Sequence, residues 1–195
     1  MTKTRQRLIE MARELFARNG LEGTTMNDIA KASGRGRRTL YTYFRHKEEI
    51  YYAVIEEELA LLSEKLKAVQ TMHAEPEEKI FALVYTHLSI IRETVLRNGS
   101  LRAEFFRNIW MVEKVRRTFD AHEHRILRAV LQEGIDKGRF RIEDVGLMTD
   151  IIHYSVKGLE VPFIYGRIGH GLTEESSKPL VAKVVYGALG KKLNN

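Results

Sequence analysis

A chain of 195 residues with 44% hydrophobic side chains has the material for one or two packed domains, which argues against disorder. It holds no cysteine, so disulfide frameworks, zinc-thiolate sites and thiol catalysis are excluded, and a reducing, cytoplasmic setting is expected. No signal-peptide core opens the chain and no run approaches the roughly 20 apolar residues of a membrane span, so neither export nor a membrane partner is expected. The net charge of +6 is unevenly placed: residues 1–47 carry 11 Lys or Arg against 4 Asp or Glu, while residues 48–195 carry 21 against 22. That asymmetry fits a small module that meets a polyanion, joined to a larger and nearly neutral one. A merely solvated basic face would show the same excess.

Only three prolines interrupt the chain, at 76, 162 and 179, and apolar residues recur at three and four, so an all-α fold is expected. Leu8, Ala12, Leu15 and Phe16 mark one stripe of a first helix, which stops at Asn19-Gly20. Thr25 and Asp28 have the spacing of a capping box, opening a short second helix that runs to about Ser33. Gly34-Arg35-Gly36 forms a turn, and a third helix runs from Arg37 to Phe44. Three short helices with a tight turn before the last make a helix-turn-helix, the arrangement of a major-groove reader.

Beyond residue 48 the elements lengthen. Tyr51, Ile55, Leu59, Leu62, Leu66 and Val69 form the seam of a long helix, and Pro76 starts the next at its first turn, where a missing N–H costs little. That helix is apolar over most of its circumference from Ile80 to Leu96, as a central buried helix would be. A short aromatic helix with Phe105, Phe106 and Trp110 follows, then one carrying Phe119, Ile126 and Val130 to about Gly138. The last two helices are expected over about 143–167 and 174–189. Pro162 predicts a kink or an end between Gly158 and Pro162.

The segment from Gly23 to Gly34, continuing through Thr39-Leu40-Tyr41-Thr42-Tyr43-Phe44-Arg45-His46-Lys47-Glu48-Glu49-Ile50, resembles the DNA-binding domain of TetR-family regulators. Glu133-Gly134-Ile135-Asp136-Lys137-Gly138-Arg139-Phe140 resembles a helix end that many members carry in the second domain. The resemblance implies a homodimer, usually a repressor, whose C-terminal domain binds a small molecule and alters the spacing of two N-terminal heads. Two positions depart from the family pattern: Arg35 replaces a small apolar residue, and Gly36 replaces the common Ser or Thr cap. A glycine cap costs only about a few tenths of a kcal/mol, so the departure bears on the operator sequence rather than the motif.

The domains expected are residues 1–47 for DNA binding and 48–195 for effector binding and dimerisation. Arg37, Arg38 and Thr42 occupy the first turns of the reading helix, and arginine suits guanine O6 and N7. One arginine is expected to read a base and the other to hold phosphate. Thr25, Lys47, Tyr41 and Tyr43 are candidate phosphate anchors, and Arg35 in the turn is a further one. For Tyr41 and Tyr43 the competing role is packing against the first helix.

In the second domain Tyr85, Phe106, Trp110 and His153 are the candidate ligand-binding residues, because they combine bulk with a polar group or sit on the short helix. A flat hydrophobic or aromatic effector suits them better than a phosphate-rich one. Asp120 and His124 lie at i and i+4, and Asp150 and His153 at i and i+3, but neither pair supplies three ligands; no metal and no cofactor is expected. No nucleophile elbow, phosphate loop or HExxH is present, so no catalytic residue is assigned and the protein is not expected to be an enzyme. Leu147, Ile151, Tyr154, Ser155, Gly158 and Leu159, with Leu180, Val181, Val184, Val185, Ala188 and Leu189, offer apolar faces for a two-fold four-helix interface. The expected partner is therefore double-stranded DNA with a near-palindromic operator. An alternative is a DNA-binding adaptor whose second domain meets a protein instead of a small molecule.

Overall fold

The computed structural model describes residues 2–97, 109–167 and 174–190. Among these residues lie eight helices: α1 Lys3–Asn19, α2 Met26–Ala32, α3 Arg37–Tyr43, α4 Lys47–Gln70, α5 Pro76–Arg97, α6 Ile109–Asp136, α7 Val145–Ile164 and α8 Glu174–Ala188. The chain divides into two compact units. The first comprises Met1–Leu61 with Glu93–Phe119, and the second comprises Leu62–Arg92 with Asp120–Asn195.

In the first unit, α1 buries Leu8, Ile9, Ala12 and Phe16, one stripe of a 3.6-residue period, with Ile9 deeper than the expected Leu15. Thr2 caps its start, accepting from the Arg5 amide, and Gly20 ends it at φ +77°. Phe16 meets the buried Tyr51 of α4 edge to face, with ring centroids 5.8 Å apart. Arg13 fastens the same two helices through Glu57 at 2.7 Å and Glu58 at 3.4 Å. Leu40 and Phe44, both buried, seat α3 on this core. The part of the α4 seam in this unit, Tyr51, Ile55 and Leu59, is buried, while Leu62, Leu66 and the half-buried Val69 belong to the second unit.

The second unit is organised on α5, where Ile80, Phe81, Leu83, Val84, Tyr85, Leu88, Ile90 and Ile91 are all buried. Apolar side chains on so many sides require neighbours on so many sides. Val84 and Leu88 pack with Val156, Ile152 and Phe163 of α7. Phe81 meets Tyr186 of α8 at 5.6 Å, and Lys178 of α8 pairs with Glu78. After α6 the chain doubles back so closely that a Cβ at Gly134 would collide with the Phe140 ring, while the Arg139 and Phe140 amides both donate to the Gly134 carbonyl. Lys79 pairs with Glu133 and Arg139 with Glu77, fastening that corner to the start of α5.

Two expectations change. Helix α7 neither ends nor breaks off between Gly158 and Pro162 but continues to Ile164, with Pro162 inside it. Proline there falls in the last turn, where it removes one hydrogen bond, and the Arg167 amide then donates to the Pro162 carbonyl at 2.8 Å as the chain leaves. Leu189 does not belong to the solvent-facing seam of the last helix: it is fully buried, and its carbonyl accepts from the Arg141 amide. Phe105 and Phe106 lie outside the described residues, and Trp110 belongs to the long α6, its side chain also outside what is described.

Candidate functional site

The N-terminal site is built by a turn. Thr25 accepts from the Asp28 amide at 3.2 Å while Asp28 accepts from the Thr25 amide at 3.0 Å and hydroxyl at 2.6 Å, closing the capping box on α2. Those hydrogen bonds from the Thr25 hydroxyl and amide hold the Asp28 carboxyl below its ordinary range. After Ser33 the chain passes through Gly34 at φ +67°, a conformation that suits a residue without Cβ. Gly36 then caps α3 without a side-chain hydrogen bond.

Around α3, Arg35, Arg37, Arg38, Tyr41 and Thr42 are exposed, and no ion pair among the described residues involves the three arginines. Leu40 between them is fully buried, so the helix is anchored on one side and presents its cations on the other. Thr42 donates to the Arg38 carbonyl at 3.0 Å. Tyr41 is exposed, whereas Tyr43 is half-buried. Lys47 differs from the arginines: its ammonium donates to the Leu21 carbonyl at 2.8 Å, tying the start of α4 to the end of the α1 turn.

The second unit contains a different kind of polar site. His87 on α5 is fully buried between two carboxylates, its Nδ1 2.5 Å from Glu123 Oε1 of α6 and its Nε2 2.8 Å from Glu160 Oε1 of α7. Burial opposes the imidazolium, but the charges of Glu123 and Glu160 and the hydrogen bonds to them prevail, raising His87 to about 9. Both ring nitrogens then donate. Burial likewise opposes the Glu123 carboxylate, yet His87 and His153 lower it to about 2. His153 Nδ1 stands 3.3 Å from Glu123 Oε2. Beside these two residues opens a small cavity of about 20 Å³, room for a single water, whose remaining wall is Leu83, Val84, Leu127, Ile152 and Val156.

Comparison with known proteins gives this geometry its context. Residues 8–54 match the family described as bacterial regulatory proteins, tetR family. The HTH-type transcriptional regulator QacR of Staphylococcus aureus is 25% identical over 158 residues, covering 80% of this chain and 83% of that protein. The fatty acid degradation regulator FadR of Bacillus halodurans has a similar fold, with a TM-score of 0.72 at 20% identity over 98% of this chain and 99% of that one. FadR of Bacillus subtilis, solved in complex with stearoyl-CoA, gives a TM-score of 0.61 at 19% identity over 95% of each chain. Residues 8–54 thus carry a TetR-family DNA-binding segment, and the rest of the chain is similar in fold to regulators of that family.

As a DNA-binding transcriptional regulator similar to TetR-family proteins, it carries its sequence-chosen DNA residues within one segment, residues 25–47, inside the matched stretch of the first unit. The candidate ligand residues are not gathered in the same way. His153 lines the cavity, whereas Tyr85 is not part of its wall, and its hydroxyl lies 2.7 Å from Ser177 Oγ of α8. Sequence reasoning singled out His153 and did not connect it to Glu123 or Glu160. A signal was available: Glu123 interrupts the apolar series Phe119, Ile126 and Val130, and Glu160 sits between Val156 and Ile164 at helical spacing. An acid on an apolar stripe has to find a partner inside.

Proposed function

We propose that this regulator is a homodimeric repressor released from a near-palindromic operator by a small hydrophobic effector. The observation that carries the DNA-reading assignment is the exposed set Arg35, Arg37, Arg38, Tyr41 and Thr42 around an α3 anchored by buried Leu40. Arg37 and Arg38 divide into base reader and phosphate holder, with Thr25, Tyr41, Tyr43, Arg35 and Lys47 fixing register. Lys47 serves through its place at the first turn of α4, since its ammonium already holds the Leu21 carbonyl. The functional division is residues 1–47 for DNA and 48–195 for effector binding and dimerisation.

The second copy docks on the apolar faces that α7 and α8 turn to solvent: Leu147, Ile151 and Tyr154 are 57%, 50% and 65% exposed, and Leu180 and Val184 60% and 74%. Faces this apolar, with Ser155 and Gly158 allowing close approach, suit a self-complementary contact about a two-fold axis. The two heads then meet DNA about 34–36 Å apart, one duplex turn.

For the effector, the apolar wall of the α5–α6–α7 cavity supports a hydrophobic ligand, with Glu123 and His153 at its polar side, and the cavity has to widen to admit it. The stearoyl-CoA held by the Bacillus subtilis neighbour makes long-chain acyl-CoA the first compound to try, against the sequence-based expectation of an effector without phosphates. Reciprocity requires operator DNA to weaken effector binding by the same factor. The test is fluorescence anisotropy on an operator duplex selected by the purified protein. Replacing the base-reading arginine, R37A or R38A, is expected to cost about 1–3 kcal/mol and relax one base position, while the other weakens binding to all sequences and flattens the salt dependence. Specific binding unchanged in both variants contradicts the assignment.

A further inference from the structure

We propose that Asp120, Glu123 and His153 hold a divalent transition-metal ion in the second unit. Each offers one donor atom, and the three atoms all lie within 4.8 Å of one another. Asp120 and Glu123 share one face of α6 at i and i+3, and His153 approaches from α7. The three donors therefore come from two helices that already pack around one cavity.

The second observation is at Glu123. The residue is only 6% exposed, and its buried Oε2 makes no well-formed hydrogen bond, its one charged neighbour being the His153 imidazole. That oxygen stands 3.3 Å from His153 Nδ1. Two ligands bound to one ion at about 2.0–2.2 Å and a tetrahedral angle are separated by about that distance. The spacing is loose for a hydrogen bond and natural for an imidazole and a carboxylate that share a cation.

The surrounding groups orient the donors. His87 donates to the other oxygen of Glu123, Oε1, and Glu160 holds the far side of that imidazole, so Oε2 is directed away from both. Lys157 occupies Asp120 Oδ2 at 2.7 Å, which directs the other oxygen inward. Next to His153, the His124 ring pairs with Asp150 at 2.8 Å and lies edge to face with His153, 5.9 Å between centroids. One nitrogen and two carboxylate oxygens suit Zn²⁺ or Mn²⁺ better than a soft ion such as Cu⁺. Glu123 and His153 also line the cavity together with Leu127, Ile152 and Val156.

The test uses the full chain, stripped with EDTA and titrated calorimetrically with ZnCl₂ and with MnCl₂, without DNA, so its outcome is independent of the operator assignment. One ion per chain is expected, with affinity falling at least about tenfold in Glu123→Gln and in His153→Gln. X-ray absorption of the zinc-loaded protein is expected to show one nitrogen and oxygen neighbours at about 2.0–2.2 Å. Circular dichroism checks that each variant folds; if Glu123→Gln does not, Asp120→Asn and His153→Gln decide. No binding overturns the proposal, and so does binding that survives those substitutions, which belongs to exposed histidines such as His46 instead.

Discussion

The two regions of this regulator treat charge in opposite ways. Around α3, Arg35 in the turn and Arg37 and Arg38 on a helix seated by buried Leu40 stand in solvent, and their positive field is free for a polyanion. In the second unit the charges are internal: His87 is fully buried, and Glu123, Glu160 and His153 are 6%, 3% and 5% exposed. A surface cation is cheap to keep and waits for a partner. A buried ion needs its partners supplied by the fold, so charge that makes a recognition surface in one place makes an internally paired cluster in the other.

That contrast can be broken by substitution. The largest effect on stability is expected from His87→Ala, which leaves the Glu123 and Glu160 carboxylates buried without the ion between them. Urea denaturation is expected to show a loss of about 3–5 kcal/mol, and a loss under about 1 kcal/mol would mean that the cluster is not paired as described. Next comes the apolar face: Val184→Asp, at a residue 74% exposed, is expected to leave the protomer folded and weaken dimerisation by at least about tenfold, read by analytical ultracentrifugation. An unchanged dimer would place the interface elsewhere. The smallest effect is expected in the head, where Thr25→Ala removes the capping box and costs about 1 kcal/mol in thermal or chemical unfolding.

How much of this was legible in the sequence follows from the range of the interactions. The head is local: the Thr25–Asp28 box spans three residues, Gly34 supplies the turn, and Leu40 with Phe44 fixes which side of α3 faces inward, so a single pass along the chain places the exposed arginines. Of the expected kink or end at Pro162, the end did not occur, because a proline in a last turn removes one bond from a helix that is ending anyway. The buried cluster needs three helices at once, with partners 36 and 73 residues from His87, and no periodicity reveals which acid will meet which histidine. Glu123 and Glu160 were nevertheless marked by their place on apolar stripes. Tyr85 looked like a ligand contact for its bulk and hydroxyl, yet that hydroxyl meets Ser177, a residue 92 positions away.

The most direct test is a titration of duplex operator with purified protein across a salt series, repeated with stearoyl-CoA. The account predicts log-linear weakening with salt, one dimer per palindrome, and release by the acyl compound with a reciprocal loss of effector affinity on DNA. Salt-insensitive attachment, or a strictly monomeric protein on the duplex, would contradict it.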